Sequence, residues 1–282
     1  MNMRATAADV VSAVHPVSLR IKTYLINLDR AEIRRFRMER LLAEIGIEFE
    51  RVAAFDGVAI ALPRRDFDAK SYLRRHGRRP NPFEIGCYLS HVECARKFLA
   101  SDGEFALILE DDLDIDDDFA EVLAAALERK ESWDILRLST VNRGRKHRVT
   151  PLTASRSLAI ALTREKGSGA YLVNRKAAGW IADMLLPMRL PYDIALDLEF
   201  DEGLRACFVD PVPVSQRADA HSQIQAGLST YRIGRRRRPW SVLPYRAAAE
   251  ARRFAARFIR LVAWRMRGQK DGPAAAGSLS KS

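Results

Sequence analysis

Residues 105–118 read FALILEDDLDIDDD, five apolar residues that run directly into a block of acids. A short, wholly apolar run is typical of a strand buried in the centre of a parallel sheet. Three adjacent carboxylates, Glu110, Asp111 and Asp112, follow that strand, and their mutual repulsion and partial burial both disfavour ionisation. In open α/β sheets ligands bind at the carboxyl ends of the strands. The stretch therefore predicts an α/β fold with a ligand site at this strand end.

A divalent cation would neutralise these acids. Mg²⁺ and Mn²⁺ prefer hard oxygen ligands, and they typically take one or two carboxylates with phosphate oxygens and water in the other positions. Such an ion would also stabilise a departing nucleotide diphosphate. We predict Glu110 and Asp112 as the metal ligands, with Asp112 and Asp114 as an alternative pair. A solvated acidic loop that caps the next helix is the competing interpretation.

Strand-like and helix-like segments alternate around this stretch, which favours a mostly parallel central sheet. Residues 21–28 (IKTYLINL) predict a strand, and the helix after it ends at Gly46. Residues 81–82 (NP) predict the start of a further helix, because Asn can cap it and Pro suits its first position. Residues 63–80 and 141–166 show no clear period and are predicted to be irregular.

The net charge of +11 is concentrated near the carboxyl end. Residues 232–270 hold 13 Lys and Arg against one acid, whereas residues 1–231 sum to −1. We predict a flexible lead-in at 1–19, a catalytic domain at 20–231, a basic amphipathic tail at 232–270 and a disordered end at 271–282. A near-neutral domain argues against the nucleic-acid-binding protein that the arginines would otherwise suggest.

The tail predicts an amphipathic helix over residues 246–267. Phe254, Phe258, Leu261 and Val262 fall on one side, and the other side carries Arg252, Arg253, Arg257, Arg260 and Arg267. This composition is typical of a helix on an anionic membrane, so we predict contact with the inner leaflet through 232–270. The alternative is a terminal helix that packs its Phe stripe onto the domain and keeps a solvated basic face.

The remaining composition predicts a cytoplasmic location, peripheral on the inner membrane face. No window has the roughly 18 apolar residues that a membrane span needs, and residues 1–20 do not read as a signal peptide. The three cysteines have no CxxC spacing, which fits a reducing compartment.

Seven motifs stand in a fixed order across residues 21–216: YLINLDRAEIR, RVAAFDG, EIGCYLSH, ALILEDDL, WDILRLS, GSGAYLVNRKAA and PYDIALD. Together they resemble glycosyltransferase family 25, which comprises lipopolysaccharide and lipooligosaccharide galactosyltransferases and is related to the collagen galactosyltransferases. The resemblance implies a GT-A-like nucleotide-sugar-binding fold and a UDP-sugar donor, most often UDP-galactose. It also implies Mn²⁺ or Mg²⁺, and a lipid-linked or cell-surface saccharide as acceptor.

The resemblance also assigns residues to roles. The motif positions next to the donor are Asn27, Leu28, Arg34, Ala54, Asp56, Gly57, Ser90, His91 and Asp111. An inverting transfer needs a base for the acceptor hydroxyl, and we assign it to Asp193, with Asp197 in reserve. The alternative role for Asp193 is a helix cap. The run His221-Ser222-Gln223-Ile224 departs from the family pattern, and His221 is a weaker candidate metal ligand.

A metal-dependent phosphoryl-transfer enzyme or nuclease would use the same acids, and it is the second alternative to sugar transfer. The sequence holds no glycine-rich phosphate loop ending in Gly-Lys, which argues against a P-loop member of that class.

Overall fold

The structure, a computed structural model, describes residues 20–142, 144–217, 231 and 239–270, with side chains as far as Met266. The strands are β1 (Ile21–Asn27), β2 (Glu50–Ala53), β3 (Phe105–Glu110), β4 (Leu113–Ile115), β5 (Ile135–Arg137), β6 (Lys146–Pro151), β7 (Ser157–Ala161), β8 (Ala170–Asn174), β9 (Ala206–Asp210) and β10 (Val214–Gln216). The α-helices are α1 (Glu32–Glu44), α2 (Ala69–His76), α3 (Pro82–Ala100), α4 (Phe119–Glu128), α5 (Arg175–Asp183), α6 (Tyr192–Leu196) and α7 (Val242–Lys270). The predicted lead-in, the predicted disordered end, and residues 221–224 and 235–238 lie outside the described residues.

An eight-stranded sheet with the order β2-β1-β3-β8-β5-β9-β7-β6 forms the centre of the molecule. The pairings of β1 with β2 and β3, and of β5 with β9, are parallel, while β8 and β7 pair antiparallel to their neighbours. Six strands therefore run in one direction, and β8 and β7 run in the other. This confirms the predicted α/β fold with mostly parallel strands, although the sheet is mixed in its pairing.

The strand β3 lies inside the sheet as its apolar run predicts. Each side chain from Phe105 to Leu109 is buried, and helices cover both faces. A strand that is buried on both faces needs apolar residues at every position, and the alternation of a half-exposed strand is absent for that reason. The run therefore places the acids that follow it at the edge of the sheet, where β3 ends beside the end of β1.

Helix α3 begins where the Asn-Pro pair predicts. The Asn81 side chain accepts a hydrogen bond from the Phe83 amide, and Pro82 occupies the first turn. A Cβ atom at Gly86 would lie 2.3 Å from the carbonyl oxygen of Phe55, so glycine lets the loop after β2 lie directly on the helix. One turn later the Ser90 hydroxyl accepts from the Phe55 amide at 2.9 Å and donates to the Gly86 carbonyl at 2.8 Å. Together, Gly86 and Ser90 hold the loop after β2 beside the ends of the strands.

Two segments that were predicted to be irregular are regular in part, and the predictions are wrong where a helix and a hairpin form. Residues 69–76 form α2, which the Asp68 side chain caps by accepting from the Ser71 amide, and which buries Tyr72. Residues 146–161 hold the hairpin β6–β7 at the edge of the sheet. Its inner strand β7 is mostly buried, while β6 is half exposed and carries polar residues. Short elements of this kind show too little periodicity in sequence to be recognised.

Helix α7 packs against α2, the 3-10 turn Glu199–Glu202, and the hairpin β6–β7. The side chains that it buries do not come from a single expected face: Leu261 of the apolar side is buried together with two arginines of the basic side. Arg253 and Arg257 are buried at 1% and 2% exposure, whereas Phe254 and Phe258 are 51% and 45% exposed. The predicted solvated arginine face is therefore wrong at Arg253 and Arg257, and the Phe stripe does not pack on the domain. Within the described residues, no helix is both long and apolar enough to cross a bilayer.

Candidate active site

The carboxylate cluster Glu110-Asp111-Asp112 lies at the carboxyl end of β3, beside the end of β1. The Asn27 amide donates to Asp111 Oδ2 at 2.6 Å, and Arg34 Nη1 lies 3.3 Å from the other oxygen of the same carboxylate. Burial raises the pKa of Asp111, although Arg34 and Asn27 oppose that rise. Asp111 is thus held by the protein itself, on the β1 side of the cluster.

Of the three carboxylates in the cluster, Asp112 has the fewest groups that stabilise its negative charge. It is 7% exposed, and its Oδ1 atom is buried without a hydrogen-bond partner among the described residues. The Gln216 amide approaches its other oxygen at 3.5 Å. Burial, together with the negative charges of Glu110 and Asp111, raises the pKa of Asp112 to about 7. A buried carboxylate oxygen with no donor is a position that a cation would fit.

Glu110 is held on its other side by a hydrogen-bonded chain. His91 Nε2 lies 3.2 Å and the Ser168 hydroxyl 3.0 Å from Glu110 Oε1. Burial favours the neutral acid, but the bonds from His91 and Ser168 outweigh it and lower the pKa of Glu110. His91 Nδ1 lies 3.0 Å from the Tyr171 hydroxyl, so the two ring nitrogens of His91 link Glu110 to Tyr171. His91 is fully buried, and its ring also stacks on that of Tyr192 at 4.1 Å.

The cluster separates two compartments of one cleft. The first, of about 670 Å³ including space open to solvent, is lined by the ends of β1 and β3, the loop after β2 and the face of α3. The second, of about 1010 Å³, lies toward α6. Both compartments are lined by Cys87, Glu110 and Asp112. A further cavity of about 920 Å³, at the amino end of β1, lies away from the carboxylates.

Most of the predicted donor-binding residues line the first compartment. They are Asn27, Leu28, Arg34, Ala54, Gly57, Ser90, His91 and Asp111, together with the predicted metal ligands Glu110 and Asp112. Asp56 does not line it; this carboxylate pairs with Arg30 and accepts from the Val58 amide at 2.9 Å, which fixes the turn before Gly57.

The two candidate bases lie in different places. Asp193 lines the second compartment from the first turn of α6, and its carboxylate accepts a long hydrogen bond of 3.4 Å from the Gly167 amide. The side chain of Asp197 is fully buried and lines neither compartment. Its oxygens lie 2.9 Å from Arg253 and 2.8 Å from Arg257. A substrate cannot reach Asp197, so we withdraw it as a reserve base.

Some lining residues were not anticipated from the sequence. The second compartment also carries Glu84, Lys166 and Gln216. Ligand atoms of Cys87, His91 and Glu110 lie within 4.8 Å of one another, a set that could hold a metal ion. Burial raises the pKa of the Cys87 thiol well above its ordinary value, so the thiol stays protonated and is a poor ligand for a hard cation. The four-residue spacing of Cys87 and His91 within a helix is the signal that could have paired them.

Comparison with known proteins finds the model of glycosyltransferase family 25 (LPS biosynthesis protein) over residues 20–196. A glycosyltransferase 25 family member of Aedes aegypti is 34% identical over 121 residues, which cover 40% of this chain and 20% of that protein. Procollagen galactosyltransferase 1-B of Xenopus laevis is 27% identical over 190 residues, or 64% of this chain and 31% of that protein. The chain thus spans about a fifth to a third of the length of these relatives. Among solved structures, A197 from STIV covers 73% of this chain and 97% of its own, at 12% identity and a TM-score of 0.41, a likeness too low to support an argument.

Proposed function

Because the chain belongs to glycosyltransferase family 25, we propose that it transfers galactose from UDP-galactose to a saccharide acceptor, with inversion and with the help of Mn²⁺ or Mg²⁺. Relatives that are named procollagen galactosyltransferases support the choice of sugar. The name of the family model, which includes LPS biosynthesis, supports a lipid-linked or cell-surface glycan as acceptor. A GT-A-like fold is part of the same proposal.

One observation carries the proposal: two compartments meet at the carboxylates. A transferase must hold a donor and an acceptor on either side of the reacting carbon, whereas a hydrolase needs only one substrate and a water. The first compartment gathers the residues expected to bind the donor, and the second holds Asp193. We place the nucleotide sugar in the first and the acceptor in the second.

The cation site fits the residues that are present. The unpaired Oδ1 of Asp112 and the raised pKa of that carboxyl are both relieved by a positive charge. Glu110 and Asp112 would hold the ion, while Asp111 is already engaged by Asn27 and Arg34. When bound, the ion supplies Lewis-acid stabilisation of the charge that develops on the departing diphosphate.

The side chains of the protein account for the remaining parts of the reaction. The acceptor hydroxyl oxygen forms the new bond to the anomeric carbon as the bond from that carbon to the diphosphate oxygen breaks. Asp193 takes the hydroxyl proton, since it lies in the acceptor compartment and its hydrogen bond to Gly167 is long enough to leave its oxygens available. Arg34, 3.3 Å from Asp111, places a positive charge in the donor compartment near the phosphates.

Donor class and cofactor are tested together by thermal unfolding of the protein with a panel of nucleotide sugars, with and without Mn²⁺. We expect a UDP-sugar to raise the melting temperature, and the rise to require the metal, since the ligand binds the folded state. A rise that is equal in excess chelator contradicts the metal site. No rise with any nucleotide sugar contradicts the donor assignment.

The base is tested with Asp193→Asn. We expect transfer to fall by about 10²–10⁴-fold, the usual contribution of a general base, while the UDP-sugar still raises the melting temperature. Asp183→Asn is the matched control, because Asp183 is an exposed carboxylate at the end of α5. Transfer near the wild-type rate in Asp193→Asn, with donor binding intact, would show that another group is the base.

A further inference from the structure

Helix α7 presents a continuous row of apolar side chains to solvent. We call Leu243, Phe254, Phe258, Ile259, Val262 and Met266 the apolar ridge; their exposed fractions are 70%, 51%, 45%, 67%, 39% and 60%. The rings of Phe254 and Phe258 stack on each other at 5.6 Å, and exposed alanines fill the turns between Leu243 and Phe254. Large apolar side chains that are exposed together along one helix mark an interaction surface in a folded protein.

The ridge faces outward because charged groups hold the other side of the helix. Arg257 lies 2.8 Å from both Asp197 and Glu199, and Arg253 lies 2.9 Å from Asp197. These four side chains are nearly or fully buried. They fix the rotation of α7 about its axis, and rolling the ridge inward would strip two buried carboxylates of their cations. The exposure of the ridge is therefore a fixed property of the folded domain.

The charge of α7 indicates which partner covers the ridge. The helix carries eight Lys and Arg and one acid, Glu250, which is itself paired with Arg253 at 2.6 Å. Arg253 and Arg257 are buried against Asp197 and Glu199, so these two do not count toward the charge that a partner meets. Arg265 is exposed next to the ridge. Burial lowers the pKa of His147, and the charges of Arg145 and Arg265 lower it further. A second copy of this helix would bring like charges together. An anionic partner with an apolar interior satisfies both features.

The length and the charge of α7 suit the surface of a lipid bilayer. The helix has 29 residues, and at about 1.5 Å per residue it is roughly 43 Å long. Helices of this type lie in the plane of a membrane, with apolar side chains at the boundary of headgroups and acyl chains and basic side chains among the headgroups. We propose that the apolar ridge inserts into the surface of an anionic bilayer.

The residues proposed to contact the membrane differ from those that the sequence alone predicts. The buried Arg253 and Arg257 are not available to lipid headgroups, so the apolar ridge carries the contact. The proposed membrane contact does not depend on which sugar is transferred, because no residue of the apolar ridge lines either compartment of the cleft.

Co-sedimentation of the full chain with vesicles tests the proposal, using vesicles of phosphatidylcholine alone and of phosphatidylcholine with phosphatidylglycerol. We expect stronger binding to the anionic vesicles, and we expect Phe254→Ser/Phe258→Ser to weaken that binding by about tenfold or more. Phe36→Ser/Met184→Ser is the matched control, since those side chains are 56% and 57% exposed elsewhere; it should change binding by less than about twofold. Circular dichroism establishes that each variant is folded.

The proposal is overturned by an absence of vesicle binding in the wild type, by undiminished binding of the ridge variant, or by an equal loss of binding in the control. A chain that sediments as a dimer, and that the ridge variant converts to a monomer without any vesicle binding, would identify a second copy as the partner and also overturn it. Should the first variant fail to fold, Ile259→Ser/Met266→Ser changes the same ridge at side chains that are more exposed.

Discussion

Replacing Asp112 by asparagine removes one charge from the carboxylate cluster and keeps the size of the side chain. Folding buries this carboxylate beside Glu110 and Asp111 and leaves Oδ1 without a donor. In the absence of divalent cations the ionised form is therefore unfavourable in the folded protein. We expect Asp112→Asn to be more stable than the wild type at alkaline pH, although the substitution removes a proposed metal ligand.

The sign and size of the effect follow from the pKa of Asp112, which rises from 3.8 to about 7 on folding. Because the folded protein holds the proton more tightly, its stability decreases as the pH rises through this interval. The difference corresponds to roughly 4 kcal/mol, and this is an upper bound because the ionisation of Asp112 depends on that of the neighbouring carboxylates. We expect Asp112→Asn to gain about 2–4 kcal/mol over the wild type near pH 8, and almost nothing near pH 4.

Thermal unfolding in the presence of a chelator measures this difference in stability. Near pH 8 we expect Asp112→Asn to melt roughly 5–15 °C above the wild type. The matched control is Asp114→Asn, because the side chain of Asp114 is 53% exposed and paired with Arg37; we expect less than about 1 kcal/mol there. Mn²⁺ should stabilise the wild type more than Asp112→Asn. A variant that melts at or below the wild-type temperature near pH 8 in chelator would refute the reasoning.

Three further substitutions test other parts of the structure by chemical denaturation. Arg257→Met should destabilise the protein by about 3–5 kcal/mol, because it leaves Glu199 buried without its cation and Asp197 with Arg253 alone. Arg252→Met, in a half-exposed pair, should cost less than about 1 kcal/mol. Gly86→Ala should destabilise by more than about 1 kcal/mol, because its Cβ meets a backbone oxygen at 2.3 Å, whereas Gly179→Ala meets nothing within 4 Å and should stabilise α5 by about 0.5–1 kcal/mol. Asn27→Ala should cost about 1.5–3 kcal/mol, because it removes the amide that donates to a buried carboxylate. Equal changes in stability for Arg257→Met and Arg252→Met, or for Gly86→Ala and Gly179→Ala, would contradict these assignments. An unchanged stability of Asn27→Ala would do the same.

The sequence predicts the parts of the fold whose cause is local. The apolar run before Glu110 is typical of a strand that is buried on both faces, and the Asn81-Pro82 pair supplies a cap and a first turn without help from elsewhere. Helix α2 was missed because tertiary contacts stabilise it: Tyr72 is buried there and donates a hydrogen bond to Glu84 of α3. An arginine-rich segment of eight residues does not show that contact in its own pattern.

In the candidate site, too, the sequence predicts features that have a local cause and misses those that depend on distant contacts. The ends of β1 and β3 are adjacent because these strands pair in parallel, so motifs that end each strand meet in space, as Asn27 and Asp111 do. The position of Asp197 could not be predicted in this way. Its partners stand 56 and 60 residues further along the chain, and the motif that contains it gives no sign that a later helix covers it.

The orientation of α7 shows why amphipathicity alone misplaces a helix. Binary patterning assumes that the surface beneath the helix is apolar, but Asp197 and Glu199 are buried there. Leaving a buried charge without its partner costs about 3–5 kcal/mol. Full burial of a Phe side chain gains about 1.5–3 kcal/mol, and Phe254 and Phe258 already bury about half of their surface. The arginines therefore decide the rotation of the helix. The apolar side chains that remain outside then need a partner beyond the domain, which is the physical reason to look for a membrane at this surface.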